Sequence, residues 1–264
     1  MNKIFKISLT IFVICCGINI TNGQSSKSTN FYHTIKNYDL SNLWRSDHIR
    51  VEGNGDRLPF PEPLGYIGDN YQRFYIHYIS VSKSKENPYQ YRVIGKTRVK
   101  DNICRFSGTI TVEEAVLYKE SDDSNYKQGS VSCKVLFYED STQISTGVIK
   151  GTLTSNFLLD KKGKLSYDAL MFVADGYNNN QCRAIWTSYK TNKSKKCNWG
   201  DFRMPDSKAL DAGAGDVTIN KKFINNGWKN FVDIYMGSPS LAEKALKIEK
   251  TKWWLPTTSK QLTN

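Results

Sequence analysis

The densest group of residues that could do chemistry lies in Asp175–Pro205, "DGYNNNQCRAIWTSYKTNKSKKCNWGDFRMP". Cys182 and Cys197 stand fifteen positions apart rather than in the Cys-x-x-Cys spacing of a zinc site. The chain's histidines, His33, His48 and His77, form no ligand motif either. The sequence therefore favours no metal and no cofactor at these residues.

A glycoside hydrolase with a β-rich fold would need a pair of carboxyl groups on either side of the scissile bond. The candidate acids lie near predicted strand ends or turns, where acids are usually solvated, and no spacing selects a pair: Glu113, Glu114, Glu139, Asp140, Asp168 and Asp175. Asp175–Asn180 and Asp211–Asp216 could supply oxygen ligands for calcium, but both are better explained as turns rich in Asp and Asn. No GxSxG motif or convincing nucleotide loop is found.

Aromatic and polar residues give the clearer candidates for ligand binding. Trp186 shares a strand face with Cys182 and is expected to point inward, whereas Trp199, beside Gly200, is expected at the surface. The predicted ligand-binding residues are Tyr177, Trp199, Asp201, Arg203 and Trp228.

The chain begins with two lysines and a short apolar run, Leu9–Ile20, which is too short for a membrane span and typical of a secretory signal. We expect cleavage after Gly23, with residues 1–23 as the signal peptide. The alternative is a lipoprotein acylated at Cys16. The formal charge of +12 falls to +10 once Lys3 and Lys6 are removed with the signal. The protein is expected to be exported, periplasmic or at the cell surface, which makes nucleic acid an improbable partner.

Four cysteines remain after cleavage, and an oxidising compartment favours two disulfides. Of the three connectivities, Cys104 with Cys133 and Cys182 with Cys197 is the simplest if neighbouring strands carry the partners.

Between Tyr71 and about Tyr189 the apolar residues recur with period two, which predicts antiparallel strands. The predicted strands are "YQRFYIHYISV", "QYRVIGKTRVK", "NICRFSGTITV", "SVSCKVLFY", "STGVIKGTLTSNFLL", "KLSYDALMFVA" and "QCRAIWTSY". Such a meander hides its edges by closing into a barrel or folding into a sandwich, and glycines inside the strands favour the barrel. The predicted core is 66–205.

The flanks differ from this core. Residues 24–65 are predicted to be an arm without regular structure over "NGDRLPFPEPLG", docked through Leu43, Trp44, Leu58 and Phe60. The extension 206–264 should contain one helix at about 240–254. Ser240 and Glu243 would form its capping box, and Leu241, Ala245 and Ile248 its apolar face.

Several stretches taken together resemble a known group: "EPLGYIGDNYQRFYIHY", "YRVIGKTRVKDNICRFSGTI", Asp175–Pro205, and "LDAGAG" followed by "NNGWKNF". They are similar to exported bacterial proteins with a calycin-like barrel, the broad class of lipocalins and avidins. The similarity covers most of Pro63–Trp254. It implies the fold and a place outside the cytoplasm, and no activity.

The first expectation is therefore a mainly β, non-enzymatic binding protein that holds a small molecule or glycan in or at the rim of a calycin-like barrel. A carbohydrate-active hydrolase using paired carboxylates is the second. The third is a protein-interaction or inhibitor module that binds an envelope component through the loop around Trp199, which predicts an exposed aromatic patch.

Overall fold

The structure is a computed structural model that describes residues 27–51 and 56–256. The predicted signal peptide 1–23, with Cys16, lies outside the described residues. In chain order the strands are β1 (Ser28–Asn30), β2 (His48–Arg50), β3 (Arg57–Pro59), β4 (Leu64–Ile67), β5 (Gln72–Lys83), β6 (Gln90–Val99), β7 (Asn102–Tyr118), β8 (Tyr126–Glu139), β9 (Gly147–Asp160), β10 (Leu165–Tyr167), β11 (Asn179–Ser188) and β12 (Ser194–Asp201). The α-helices are α1 (Tyr32–Ile35), α2 (Ser41–Trp44), α3 (Lys229–Met236) and α4 (Pro239–Glu249).

Eight of the strands close a hydrogen-bonded ring. The order is β4, β5, β6, β7, β8, β9, β11 and β12, and β12 pairs again with β4. All these pairs are antiparallel, so the expectation of a mainly antiparallel β protein is confirmed. Closing the ring leaves these strands without a free edge.

Alternation along β6 shows why this segment forms a strand. Tyr91 and Val93 are each 1% exposed and face the inside of the ring. Ile94, which follows Val93, points the other way and is 53% exposed. Gly108 on β7 allows a close approach of β8, because a Cβ atom there would lie 2.0 Å from the carbonyl oxygen of Leu136. The inside of the ring is filled with buried side chains, among them Phe106, Phe137 and Leu153.

Two ring strands were missed by the period-two pattern, and one predicted strand is mostly absent. Ser194–Asp201 forms β12 although it was expected to include a lysine-rich tip: its first residues, with Lys195 and Lys196, are exposed, whereas Cys197–Asp201 is buried. Leu64–Ile67 forms β4, which begins inside the predicted arm. Of "KLSYDALMFVA", only Leu165–Tyr167 is a strand.

The N-terminal arm docks on the ring as predicted. Leu43 and Trp44 are buried, and the indole Nε1 of Trp44 donates to Ser155 Oγ at 2.8 Å. The expectation that the Pro- and Gly-rich segment has no regular structure is wrong, because Arg57–Pro59 pairs with His48–Arg50 as β3 and β2. β1 pairs with the end of β7 at Val116–Tyr118, beyond the part of β7 that pairs with β6.

The C-terminal extension contains two α-helices rather than one. α3 follows a π-helical turn, Ile224–Trp228, and α4 ends at Glu249. The predicted capping box is wrong, since Ser238 is the N-cap residue and Pro239 is the first helical residue. Of the predicted apolar face, Ala245 is buried, but Leu241 and Ile248 are 45% and 49% exposed.

Candidate functional site

A pocket of about 330 Å³ opens at the end of the ring where β12 ends and β11 begins. We call it the mouth pocket and define it by Trp44, Phe60, Glu62, His77, Tyr78, Asn180, Trp199, Asp201 and Trp254, which all line it. Ring strands, the arm and the C-terminal segment all contribute, so the pocket exists only in the assembled fold.

Asp201, the last residue of β12, is the central polar group of the mouth pocket. Its side chain is completely buried, and Oδ2 accepts hydrogen bonds from Tyr167 Oη at 3.0 Å and from Asn180 Nδ2 at 2.6 Å. Oδ1 has no hydrogen-bond partner. The pKa of Asp201 is raised to about 8, chiefly by burial and to a smaller extent by the charge of Glu62, although the two donated hydrogen bonds oppose this rise. The carboxyl group is therefore mainly protonated at neutral pH.

Because Oδ2 already accepts two hydrogen bonds, we place the proton of Asp201 on Oδ1. A buried hydroxyl without a partner costs free energy. The group is thus available to donate to whatever enters the pocket.

Asn180 stands next to Asp201 because β11 is irregular at this point. The register of β11 against β12 shifts between Asn179 and Cys182, and Asn180 has a positive φ of 48°. Asn tolerates this backbone conformation better than most residues, and such bulges redirect side chains. Its amide Nδ2 donates both to Leu43 O at 2.8 Å and to Asp201, which fixes the orientation of the amide. Asn180 Oδ1 has no partner and is a free acceptor.

The walls of the mouth pocket are aromatic. Trp199 is 1% exposed, and its Nε1 donates to Tyr78 Oη at 3.1 Å. The N–H of Trp44 is likewise satisfied by Ser155, so these indoles contribute apolar surface rather than donors. Burial raises the pKa of Tyr78 well above its usual value, which keeps this phenol neutral.

The entrance is formed by a histidine held between a carboxylate and an indole. His77 Nδ1 lies 2.9 Å from Glu62 Oε1. The His77 ring stacks on Trp254 with centroids 3.7 Å apart and an angle of 12° between the planes. Lys252 also lines the pocket, so the segment after α4 covers one side of the entrance.

The structure brings only two of the five predicted ligand-binding residues into the mouth pocket, Trp199 and Asp201. The expectation that Trp199 lies at the surface is wrong, because its strand alternation turns it inward. Arg203 instead forms an ion pair with Asp211 at 2.8 Å and donates to Gly213 O. These contacts of Arg203 stabilise the turn after β12.

Tyr177 and Trp228 have structural contacts away from the mouth pocket. The hydroxyl of Tyr177 donates to Asp168 O, and its ring packs near Phe202. Trp228 is fully buried, and its Nε1 donates to Tyr71 O at 2.8 Å on the outer side of β5. Trp186 is partly buried, and its Nε1 donates to Glu139 Oε2 at 2.8 Å.

The acids predicted as hydrolase candidates do not form a pair in the mouth pocket. Glu113, Glu114 and Asp175 are exposed, whereas Glu139 is buried and accepts from Thr97, Trp186 and Gly147. Asp168 is buried and accepts from Gln128, and Asp140 accepts from Thr142. Across residues 27–51 and 56–256, no group of three His, Cys, Asp or Glu side chains is arranged to hold a metal ion.

The four cysteines are buried free thiols in the structure. The expected pairing of Cys104 with Cys133 is wrong for this register. Cys133 faces Val112, which lies eight positions beyond Cys104 on β7, a distance of roughly 26 Å along the strand. Cys182 and Cys197 lie on the paired strands β11 and β12, and a disulfide between them stays a prediction.

Glu62, His77, Asn180 and Trp254 were not among the predicted site residues. Asn180 was interpreted as part of a turn. Its place in the site becomes visible only from its hydrogen bond to the buried Asp201 on the next strand. Glu62 and His77 are fifteen residues apart and meet because β4 and β5 are hairpin partners. No local pattern in the sequence marks these residues.

Comparisons with protein-family models, with curated proteins and with solved structures find no match for this chain. Among the described residues, no helix is both long and apolar enough to cross a bilayer. The candidate site therefore rests on its own geometry.

Proposed function

We propose that this is an exported, non-enzymatic binding protein, with a calycin-like barrel that holds a small organic molecule in the mouth pocket. The observation that carries the proposal is the pair of buried polar atoms without partners, Asp201 Oδ1 and Asn180 Oδ1, in a pocket with aromatic walls. Ligand sites typically combine apolar surface with a few polar groups of this kind. The signal-like N-terminus supports export.

The two unpaired atoms define the chemistry of the ligand. Protonated Asp201 offers a donor at Oδ1, and Asn180 offers an acceptor at Oδ1. A hydroxyl group both donates and accepts, so one hydroxyl, or two neighbouring ones, satisfies this pair. Phe60 and the face of Trp254 that does not stack on His77 offer aromatic surface on which the apolar side of a sugar can stack. We infer that the ligand is a small hydroxyl-bearing molecule, such as a monosaccharide or the end of a glycan.

The test is native mass spectrometry of the purified full chain, first as isolated and then with neutral hexoses and N-acetylhexosamines. We expect a bound small molecule or a sugar adduct in the wild type. Trp254→Ala should weaken sugar binding about tenfold, because stacking on one aromatic ring contributes roughly 1 to 2 kcal/mol. Tyr235→Ala is the matched control, since Tyr235 is 71% exposed and does not line the mouth pocket.

Asp201 provides a second readout of the same proposal. Asp201→Asn replaces the protonated acid with an amide of similar shape that still donates, so it should bind at neutral pH. Wild-type binding should weaken above about pH 8, where Asp201 ionises, whereas Asp201→Asn should not. No adduct in the wild type, or equal losses in Trp254→Ala and Tyr235→Ala, would refute binding in the mouth pocket.

A second candidate function is hydrolysis of a glycosidic bond by Glu62 and Asp201. Both carboxyl groups line the mouth pocket, and Asp201 is held protonated while Glu62 contacts His77. Two acids in different environments are the arrangement that divides acid and base roles. Release of nitrophenol from nitrophenyl glycosides tests it. Asp201→Asn should abolish turnover while keeping sugar binding, and the absence of wild-type turnover across the panel excludes the candidate.

A further inference from the structure

We propose that Arg73 is the centre of a second binding site, which takes a small oxyanion between the outer face of β5 and the helices α3 and α4. Arg73 is only 4% exposed. Its Nε and Nη1 atoms are buried and have no hydrogen-bond partner. Because a guanidinium stays charged in proteins, such buried donors call for an acceptor.

Aromatic rings surround Arg73 but do not satisfy its donors. The Arg73 Cζ atom lies 4.2 Å from the ring centroid of Trp228 and 4.7 Å from that of Tyr75. At these distances cation–π attraction acts between the guanidinium and the rings, but the Nε and Nη1 donors still lack hydrogen-bond acceptors. The N–H groups lie in the guanidinium plane, and the fork of Nη1 and Nη2 can bind an oxyanion in a bidentate way, whereas the Nε–H points away from Nη1.

Arg73 lines a pocket of about 350 Å³, together with Tyr75, Phe231, Glu249, Lys250 and Trp253. We call this the strap pocket, because α3, α4 and the residues after α4 cover it. The strap pocket shares Glu62 and Trp254 with the mouth pocket, so the two adjoin. The proposal does not depend on what the mouth pocket binds.

The strap pocket already holds one carboxylate, that of Glu249. Tyr75 Oη donates to Glu249 Oε1 at 3.0 Å, but Arg73 Nη2 is 3.8 Å from Glu249 Oε2, which is beyond hydrogen-bond distance. A carboxylate therefore already lies next to Arg73, but it is too far away to accept hydrogen bonds from the guanidinium. An external carboxylate or phosphate that displaces the Glu249 side chain would gain the direct contact that Glu249 lacks.

The charges around the strap pocket favour an anion. The Arg98 Cζ atom also lies close to Tyr75, 4.0 Å from that ring centroid, and Lys250 lines the pocket. The charged lining residues are two cations, Arg73 and Lys250, and two acids, Glu249 and the half-exposed Glu62, and Arg98 behind Tyr75 and Trp253 adds a third positive charge. The local balance therefore remains positive, and it becomes more positive when Glu249 is neutralised.

The test is calorimetric titration of the full chain with inorganic phosphate, and separately with acetate, at low ionic strength. Glu249→Gln keeps the hydrogen bond from Tyr75 and removes the competing charge. It should bind phosphate about tenfold more tightly than the wild type, since a hydrogen bond to a charged group is worth roughly that factor. Glu243→Gln is the matched control, because Glu243 lies exposed on the same helix and its loss changes the net charge equally.

Tighter phosphate binding in Glu249→Gln but not in Glu243→Gln supports the site. If Glu249→Gln also binds acetate more tightly, the site accepts oxyanions in general. Arg73→Lys in the Glu249→Gln background should then lose the gain, because a lysine cannot bind in a bidentate way. Equal affinities in the two glutamine variants, or no binding in either, would overturn the proposal. That comparison stands even if the Arg73 variant does not fold.

Discussion

Replacing Asp201 with asparagine should change how the stability of the protein depends on pH. The carboxyl group is fully buried, and burial raises its pKa from 3.8 to about 8. In the unfolded chain it has its ordinary value. Between these two pKa values the folded state therefore holds a proton that the unfolded state releases.

The sign of the effect follows from this difference. A group whose pKa is raised on folding contributes stability that is complete below its unfolded pKa and is lost as pH rises through its folded pKa. For one proton the loss is about 1.36 kcal/mol per pH unit, or about 2.7 kcal/mol between pH 5 and pH 7. Asp201→Asn cannot titrate, and its amide resembles the protonated acid in shape.

The assay is guanidinium chloride unfolding of wild type and Asp201→Asn at pH 5 and pH 7. We expect the wild type to lose about 2.7 kcal/mol more than the variant over this interval. Other buried acids titrate equally in both proteins, so they cancel in the comparison. Asp206→Asn, at an exposed ion pair with Arg183, should behave like the wild type. Parallel pH profiles for wild type and Asp201→Asn would show that Asp201 is ionised in the folded protein.

Three further outcomes follow from the ring. Glu139→Ala should lower the free energy of unfolding by about 3 kcal/mol, because it leaves three buried donors without their acceptor, and an unchanged denaturation midpoint would contradict those contacts. Gly108→Ala should cost about 1 to 3 kcal/mol, because the new methyl group meets Leu136 O at 2.0 Å, and a variant of normal stability would argue against this close pairing of β7 and β8. Peptide mapping of the unreduced protein should find no link between Cys104 and Cys133, and detection of one would show that the register is incorrect.

The ring strands could be predicted where their side chains alternate strictly. In β6, buried Tyr91 and Val93 alternate with exposed Arg92 and Ile94, which is the pattern that the prediction used. β12 was missed because it is short, begins with exposed lysines and ends in a run of five buried residues, so its exposure does not alternate. α3 was missed because it begins after a π-helical turn and has no fully buried residue to mark its face.

The candidate site was predicted only in part. Asp201 and Trp199 were selected for their residue types, but Trp199 was assigned to the surface because the strand that turns it inward was not recognised. Asn180 depends on a bulge and a positive φ, which local sequence permits without requiring. Glu62, His77 and Trp254 come from three distant segments.

The sequence by itself determined the antiparallel β class and a helix near the C-terminus, because both depend on short-range periodicity of apolar residues. It also determined the docking of the arm, because Leu43 and Trp44 are large apolar side chains in an otherwise polar segment. Only the tertiary structure decided between a ring and a sandwich, buried Asp201 without a countercharge, and brought Glu249 to 3.8 Å from Arg73. Burial and proximity depend on which distant segments pack together, and the same aspartate or arginine would be an ordinary solvated charge elsewhere on the surface.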